Sequence, residues 1–100
     1  MSDELSDLRG EIDKLDEQLM QVLGKRFAVT KKVGIYKRDN NVVSQDHGRE
    51  ARQMERISEL AKQNGVSPEY AKRLLRMTID EVIANHKALR EEIKQSEQNI

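Results

Sequence analysis

The first third of the chain carries an apolar residue every three or four positions, the spacing that aligns side chains along one face of an α-helix. Arg26 interrupts this series, and the turn-prone cluster Asp39-Asn40-Asn41 ends it. We therefore predict a first helix from about residue 4 to about residue 38, roughly 52 Å long at 1.5 Å per residue. The series, called the apolar seam below, consists of Leu5, Leu8, Ile12, Leu15, Leu19, Val22, Val29, Val33 and Tyr36.

Two shorter helices are predicted after a loop over about residues 39–45. One runs from about residue 46 to about residue 64 and ends at Gly65; its apolar stripe is Met54, Ile57 and Ala61. The other runs from about residue 68 to about residue 94, opens at Ser67-Pro68-Glu69, and has a polar tail after Ile93 that is expected to fray. Its stripe is Ala71, Leu74/Leu75, Thr78, Val82, His86, Leu89 and Ile93. No linker or repeat divides the sequence, so we expect an all-α fold in one domain over residues 1–100.

The charge balance and the cysteine content exclude several function classes. Eighteen basic and eighteen acidic residues cancel, which argues against a nucleic-acid binder that depends on a strong positive field. The absence of cysteine excludes a disulfide scaffold and a thiolate metal site, and two histidines leave little material for zinc. Because the sequence has no long apolar run, we expect a cytoplasmic protein that does not bind a membrane.

The predicted first helix is too long to be buried within one chain of this size. A compact globule of 100 residues has a radius of gyration of about 13 Å, so a second chain is expected to cover the seam. Residues 1–20 hold seven acids and two bases, whereas residues 21–40 hold six bases and one acid. This gradient favours antiparallel pairing of two copies in a closed homodimer. The alternative is a solvated charge gradient with no partner.

Three polar residues stand in otherwise apolar stripes: Arg26, Glu50 and His86, one on each predicted helix. A buried charge without a partner is strongly unfavourable, so each residue needs a counter-ion, a hydrogen bond or a ligand. One interpretation is an internal network, in which Arg26 pairs with Glu50 and His86 is a satisfied core residue. The presence of all three favours instead a polar pocket between the helices.

Basic residues on the first helix predict an anion site. Arg26 and Lys37 lie three turns apart, roughly 16 Å along the axis, so their long side chains can converge on a small anion between them. Arg9 is about 26 Å from Arg26 along the helix and cannot reach the same ligand within one chain. In an antiparallel pair centred on residue 21, however, position 9 of one copy faces position 33 of the other. Two chains would then supply two arginines and a lysine to one small dianion.

The other two helices are expected to add polar groups to this pocket and to cover one side of it. Asp46 and Glu50 stand four residues apart at the start of the second helix and are suited to accept hydrogen bonds from a hydroxyl. Arg49 lies beside them as a further cation. Val82 and His86 have the same spacing on the third helix and are expected to cover the pocket.

Three segments carry a resemblance to a known family: LRGEIDKLDEQLMQVLGKR over residues 8–26, Val33-Gly34-Ile35-Tyr36-Lys37, and Asp46-His47-Gly48-Arg49-Glu50. Over about residues 5–90 the chain resembles the all-helical, AroQ-type chorismate mutases. The most specific part is the set of two arginines, a lysine and an Asp-x-x-Arg-Glu motif at matching spacings. A single piece such as LDxxL is weak, because helical proteins produce it readily.

The resemblance implies an intertwined three-helix homodimer with two equivalent sites. Each site would convert chorismate to prephenate for phenylalanine and tyrosine biosynthesis, with no cofactor and no metal. Arg9 would reach in from the partner chain and Arg26 from the same chain, and together they would hold the two carboxylates. Lys37 would contact the ether oxygen and a carboxylate, while Asp46 and Glu50 would place the substrate hydroxyl.

The sequence departs from the family pattern on the third helix. Many members carry glutamine or glutamate where His86 stands and donate from it to the ether oxygen, a role that a histidine N–H can take. Val82 stands where many members have a small polar residue, and it can only pack. Arg49 matches a position at the edge of the family's site.

A Claisen rearrangement suits these residues, because it needs orientation and charge stabilisation rather than a nucleophile. Two enzymes with the same fold remain as alternatives, an isochorismate-pyruvate lyase and a mutase that accepts amino-deoxychorismate. An alternative of another class is a non-catalytic helical dimerisation module, whose polar seam residues only set the register of the helices.

Overall fold

The computed structural model describes residues 3–43 and 45–98, with the backbone alone for residues 92–98. It contains three α-helices, α1 over Glu4–Asp39, α2 over His47–Gln63 and α3 over Pro68–Gln98. No strand occurs among the described residues, so the all-α prediction is confirmed. Within the same residues, no helix combines the length and the apolar character needed to cross a membrane.

Short polar side chains set the helix boundaries. The Asp3 carboxylate accepts a hydrogen bond from the backbone N–H of Leu5 at 3.1 Å, and the Asp46 carboxylate accepts one from Arg49 at 3.0 Å. Such N-caps satisfy backbone donors that have no partner inside the helix. At the other end of α2, Gly65 has a φ of 71°, the left-handed conformation that glycine adopts without strain.

The observed helix ends lie close to the predicted ones, with one larger difference in α3. Both α1 and α2 end within one residue of the predicted positions, whereas α3 continues to Gln98, beyond the predicted end near residue 94. The polar tail after Ile93 is therefore helical as far as Gln98 rather than frayed. Residues 99 and 100 of that tail, and the side chain of Ile93, lie outside the described part.

The small core lies where α3 packs against α2 and against the C-terminal half of α1. Its buried apolar residues are Ala61, Ala71, Leu75 and Ile79. Of the predicted stripe on α3, Ala71, Leu75 and His86 are buried, whereas Thr78, Val82 and Leu89 are only partly buried. Ile79, which was not predicted, is buried, and the Thr78 hydroxyl donates to the carbonyl of Leu74 at 2.8 Å. The buried residues Ala71, Leu75 and Ile79 are spaced four apart, slightly more than one helical turn, so each lies a little further around α3 than the one before. The buried face therefore passes through Ile79 rather than Thr78.

The apolar seam of α1 remains exposed in the single chain. All nine of its residues are at least 42% exposed, from Val33 at 42% to Tyr36 at 64%. The face of α1 that packs on α3 is a neighbouring one, and on it Gly34 is buried. The molecule measures 65 × 32 × 16 Å and has a radius of gyration of 18.3 Å, well above the value of about 13 Å for a compact chain of this length.

Candidate active site

A cavity of about 180 Å³ lies between the C-terminal half of α1, the start of α2 and the middle of α3. Its lining brings together residues that are far apart in the sequence, and it contains all of the predicted site residues except Arg9. The predicted site residues that line the cavity are Arg26, Lys37, Asp46, Arg49, Glu50, Val82 and His86.

Charge distinguishes this cavity from a larger one nearby. The larger cavity, of about 480 Å³, lies along the contact between α1 and α3 and has one charged lining residue, Lys31. The smaller cavity has three cationic residues, Arg26, Lys37 and Arg49, and two carboxylates, Asp46 and Glu50. Convergent charged groups in a concave site are the usual mark of a ligand-binding pocket, so we take the smaller cavity as the candidate site.

Arg26 presents an unsatisfied donor at this site. Its Nη1 atom is buried and has no hydrogen-bond partner among the residues that the structure describes. A buried donor with no partner is unfavourable, because it has lost water without gaining a protein acceptor, and the penalty is larger for a charged group. An anionic ligand in the cavity would supply the missing acceptor.

Asp46 lines the cavity and also helps to begin α2. Its carboxylate caps α2 by accepting the Arg49 backbone N–H, and this hydrogen bond lowers the pKa of Asp46 below its usual value of 3.8. The positive charges of Arg52 and Lys37 lower the pKa of Asp46 further. Asp46 is therefore an ionised acceptor at neutral pH.

Glu50 is held by groups from outside α1. Its side chain is only 14% exposed, and Oε2 lies 3.3 Å from Nη1 of Arg76 on α3. Its Oε1 accepts a hydrogen bond at 3.1 Å from Nε2 of Gln45, in the loop before α2. The imidazole Nδ1 of His47 lies 3.8 Å from Oε2. The cation paired with Glu50 is thus Arg76, not Arg26 as the internal-network interpretation supposed.

Sequence reasoning missed Arg76, because no local pattern links it to Glu50, 26 positions away. Arg76 stands two helical turns before Ile83, which lines the cavity, so both residues lie on the same face of α3. The carboxylates of Glu50 and Asp80 raise the pKa of Arg76 above that of an ordinary arginine. Arg76 therefore remains fully charged.

His86 is buried and fixed by a hydrogen bond to α1. It is 7% exposed, and its Nε2 lies 2.8 Å from the carbonyl oxygen of Thr30. A carbonyl only accepts, so Nε2 carries the hydrogen and donates. With this bond in place a neutral ring has no second N–H for a ligand, and only the imidazolium would donate, from Nδ1.

Gly34 leaves room for this ring. A Cβ atom at position 34 would lie 2.6 Å from Cδ2 and 2.7 Å from Nε2 of His86. The close approach of α1 to α3 beside the cavity therefore depends on the absence of a side chain at Gly34. The contacts of Thr30 and Gly34 with His86 were not predicted from the sequence, because they depend on the packing of two distant segments.

Arg9 is exposed on the N-terminal part of α1 and does not line the cavity, as expected for a residue about 26 Å from Arg26. Within the described residues, no three histidine, aspartate or glutamate side chains form a group that could hold a metal ion.

Comparisons with known proteins gave matches over most of the chain. The family model described as chorismate mutase type II matches residues 8–87. A bifunctional chorismate mutase/prephenate dehydratase from Buchnera aphidicola subsp. Schizaphis graminum is 30% identical over 86 residues, covering 86% of this chain and 22% of the relative. The protein of the same name from Buchnera aphidicola subsp. Acyrthosiphon pisum is 28% identical over 81 residues, covering 81% and 21%. The chain spans about a fifth of the length of these curated relatives.

Proposed function

The chain belongs to the chorismate mutase type II family, and from this premise we propose that its cavity converts chorismate to prephenate. Chorismate carries two carboxylates, an ether oxygen and a hydroxyl. The cavity has three cationic residues and two carboxylates in its lining, so each polar group of the substrate has a complementary group nearby.

The observation that carries this proposal is the buried Nη1 of Arg26, which has no hydrogen-bond partner in the described part of the chain. In the proposed complex a substrate carboxylate accepts from this guanidinium, and the penalty of the unsatisfied donor disappears. Because Arg26 also lines the cavity, a ligand-binding site accounts for this buried donor without calling on a second chain.

The reaction redistributes bonds within a single molecule. The ether carbon–oxygen bond breaks while a carbon–carbon bond forms between the enolpyruvyl group and the ring, so no atom or electron is gained or lost. The protein must hold the substrate in its folded reactive conformation and stabilise the negative charge that grows on the ether oxygen. We assign both tasks to Arg26 and Lys37, with Glu50 and Asp46 accepting from the hydroxyl.

His86 contributes in a different way from the expectation based on sequence. Because Nε2 donates to Thr30, we assign the neutral ring a supporting role, in which it fixes α3 against α1 beside the reacting groups. Donation from Nδ1 to the ether oxygen belongs to the imidazolium form.

We further propose that the active form is an antiparallel homodimer, in which a second copy supplies Arg9. Support comes from the exposed apolar seam of α1, which no part of the described chain covers. The acidic first half of the helix would then lie on the basic second half of the other copy. This arrangement places Arg9 of the second copy opposite position 33, beside the cavity.

The function is tested by adding chorismate to the purified protein and identifying the products by chromatography. We expect prephenate from the wild type, almost no turnover from Arg26→Ala and Lys37→Ala, and near-normal turnover from Lys25→Ala, whose exposed side chain does not line the cavity. Prephenate formation by Arg26→Ala at the wild-type rate would refute the assignment. Turnover of isochorismate with pyruvate release, or of amino-deoxychorismate, in preference to chorismate would favour the alternatives with the same fold.

A further inference from the structure

We propose that Arg76 is a positioning residue for the candidate site: it holds the Glu50 carboxylate in place and prevents it from pairing with the cations that bind the substrate. This inference rests on the proposed function. Arg76 is absent from the lining of the cavity, so it acts through Glu50 and not by touching the substrate.

The guanidinium of Arg76 bridges two helices. Its Nη2 lies 2.8 Å from Oδ1 of Asp80, and its Nε donates to the same oxygen at 3.0 Å. Asp80 stands one turn further along α3, so this pair fixes the Arg76 side chain along its own helix. The remaining nitrogen, Nη1, reaches Oε2 of Glu50 on the first turn of α2 at 3.3 Å.

The environment of Glu50 gives this contact its importance. Its side chain is 14% exposed, so attraction to neighbouring cations is weakly screened by water. Arg26 and Lys37 line the same cavity as Glu50, and Nη1 of Arg26 lacks an acceptor among the described residues. Without Arg76, the Glu50 carboxylate would be drawn toward these cations and would compete with the substrate's own carboxylates.

The loss of Arg76 should therefore weaken substrate binding more than it slows the chemical step. We expect Arg76→Ala to raise KM for chorismate about tenfold, equivalent to about 1.4 kcal/mol, with a change in kcat of less than about threefold. Arg76→Lys keeps a cation within reach of Glu50 and should restore most of the affinity. The fold should survive both changes, because Arg76 itself is 41% exposed and Gln45 still donates to the Glu50 carboxylate in its absence.

The decisive experiment is a double-mutant cycle with Glu50→Gln, whose neutral amide neither needs Arg76 nor competes for Arg26. If Arg76 acts through Glu50, then Arg76→Ala should change KM less than about twofold in the Glu50→Gln background. The matched control is Arg73→Ala, one helical turn away on α3. The Arg73 guanidinium lies over the Tyr70 ring at 5.9 Å, so its removal should leave KM unchanged.

Each outcome has a distinct meaning. An unchanged KM in Arg76→Ala, or the same tenfold rise with Glu50→Gln already present, would overturn the positioning role while the proposed function stands. A wild-type protein that does not turn over chorismate would overturn the proposed function, and with it this inference. A KM rise confined to the background that retains Glu50 would support both.

Discussion

The substitution Gly34→Ala tests the contact between α1 and α3 at the candidate site. A Cβ atom at this position would lie 2.6, 2.7 and 3.1 Å from three atoms of the His86 imidazole. Ordinary contacts between carbon atoms lie at about 3.5–4.0 Å, so the ring would have to move by roughly 1 Å. The ring has little freedom to move, because it is 7% exposed and its Nε2 is bonded to the Thr30 carbonyl at 2.8 Å.

The expected cost follows from these contacts. Breaking the hydrogen bond of a buried group costs about 1–3 kcal/mol, and forcing an extra methyl group into a packed contact costs a similar amount, about 1–3 kcal/mol. Alanine is preferred over glycine within a helix by up to about 1 kcal/mol, which offsets part of this penalty. We expect Gly34→Ala to lower the free energy of unfolding by about 2 kcal/mol.

The assay is urea denaturation followed by circular dichroism, with every variant at one protein concentration, because the stability of an oligomer depends on concentration. The matched control is Gly24→Ala on the same helix, where a Cβ would meet no atom within 4 Å. We expect this control to be as stable as the wild type or slightly more stable. In a His86→Ala background, which removes the ring, Gly34→Ala should no longer destabilise. A Gly34→Ala variant as stable as Gly24→Ala would refute the reasoning.

Three further predictions concern the site, helix capping and assembly. At position 86, His86→Gln should retain more chorismate turnover than His86→Ala, since its amide can still donate to the Thr30 carbonyl; equal losses would rule out hydrogen-bond donation as the role of this side chain. The pKa of Asp46 is lowered in the folded state, so its stabilisation is complete above its usual pKa of 3.8 and is lost as the pH falls through the lower, folded value. Thermal melts should thus show a gap in Tm between wild type and Asp46→Ala that is constant at neutral pH and closes below pH 3.8; a gap unchanged down to pH 2 would contradict this. Leu15→Glu places a charge in the exposed seam and should halve the mass measured by light scattering, whereas a wild-type protein that is already monomeric would refute the proposed dimer.

Local sequence patterns predicted the helices well, because the signals that define them are local. The spacing of the seam gave the length of α1, and Asp46, Gly65 and Pro68 mark helix ends through capping and backbone preferences. The face of α1 that packs on α3 was not predicted. It contains Gly34 and a polar threonine rather than a continuous apolar stripe, so hydrophobic spacing pointed to the exposed seam instead.

Most residues predicted for the site lie together around one cavity, but the contacts that hold them in place were not predicted. Seven of the eight predicted residues line one cavity. They could be predicted because helical spacing shows which residues share a face, and the family resemblance depends on residue types at fixed positions. The contacts of Glu50 with Arg76 and of His86 with Thr30 join residues 26 and 56 positions apart. No local pattern encodes such pairs, since they depend on how far α3 is translated and rotated against the other helices.

The central claim, that the site combines Arg26 of one chain with Arg9 of a second copy, can be tested by complementation. Arg9→Ala and Arg26→Ala should each be almost inactive alone. When the two variants are unfolded, mixed in equal amounts and refolded together, about half of the dimers should contain one chain of each kind. Each mixed dimer has one intact site and one site lacking both arginines, so about a quarter of the wild-type rate of prephenate formation should return. No recovery of activity, in a sample where mass spectrometry detects the mixed dimers, would contradict the claim.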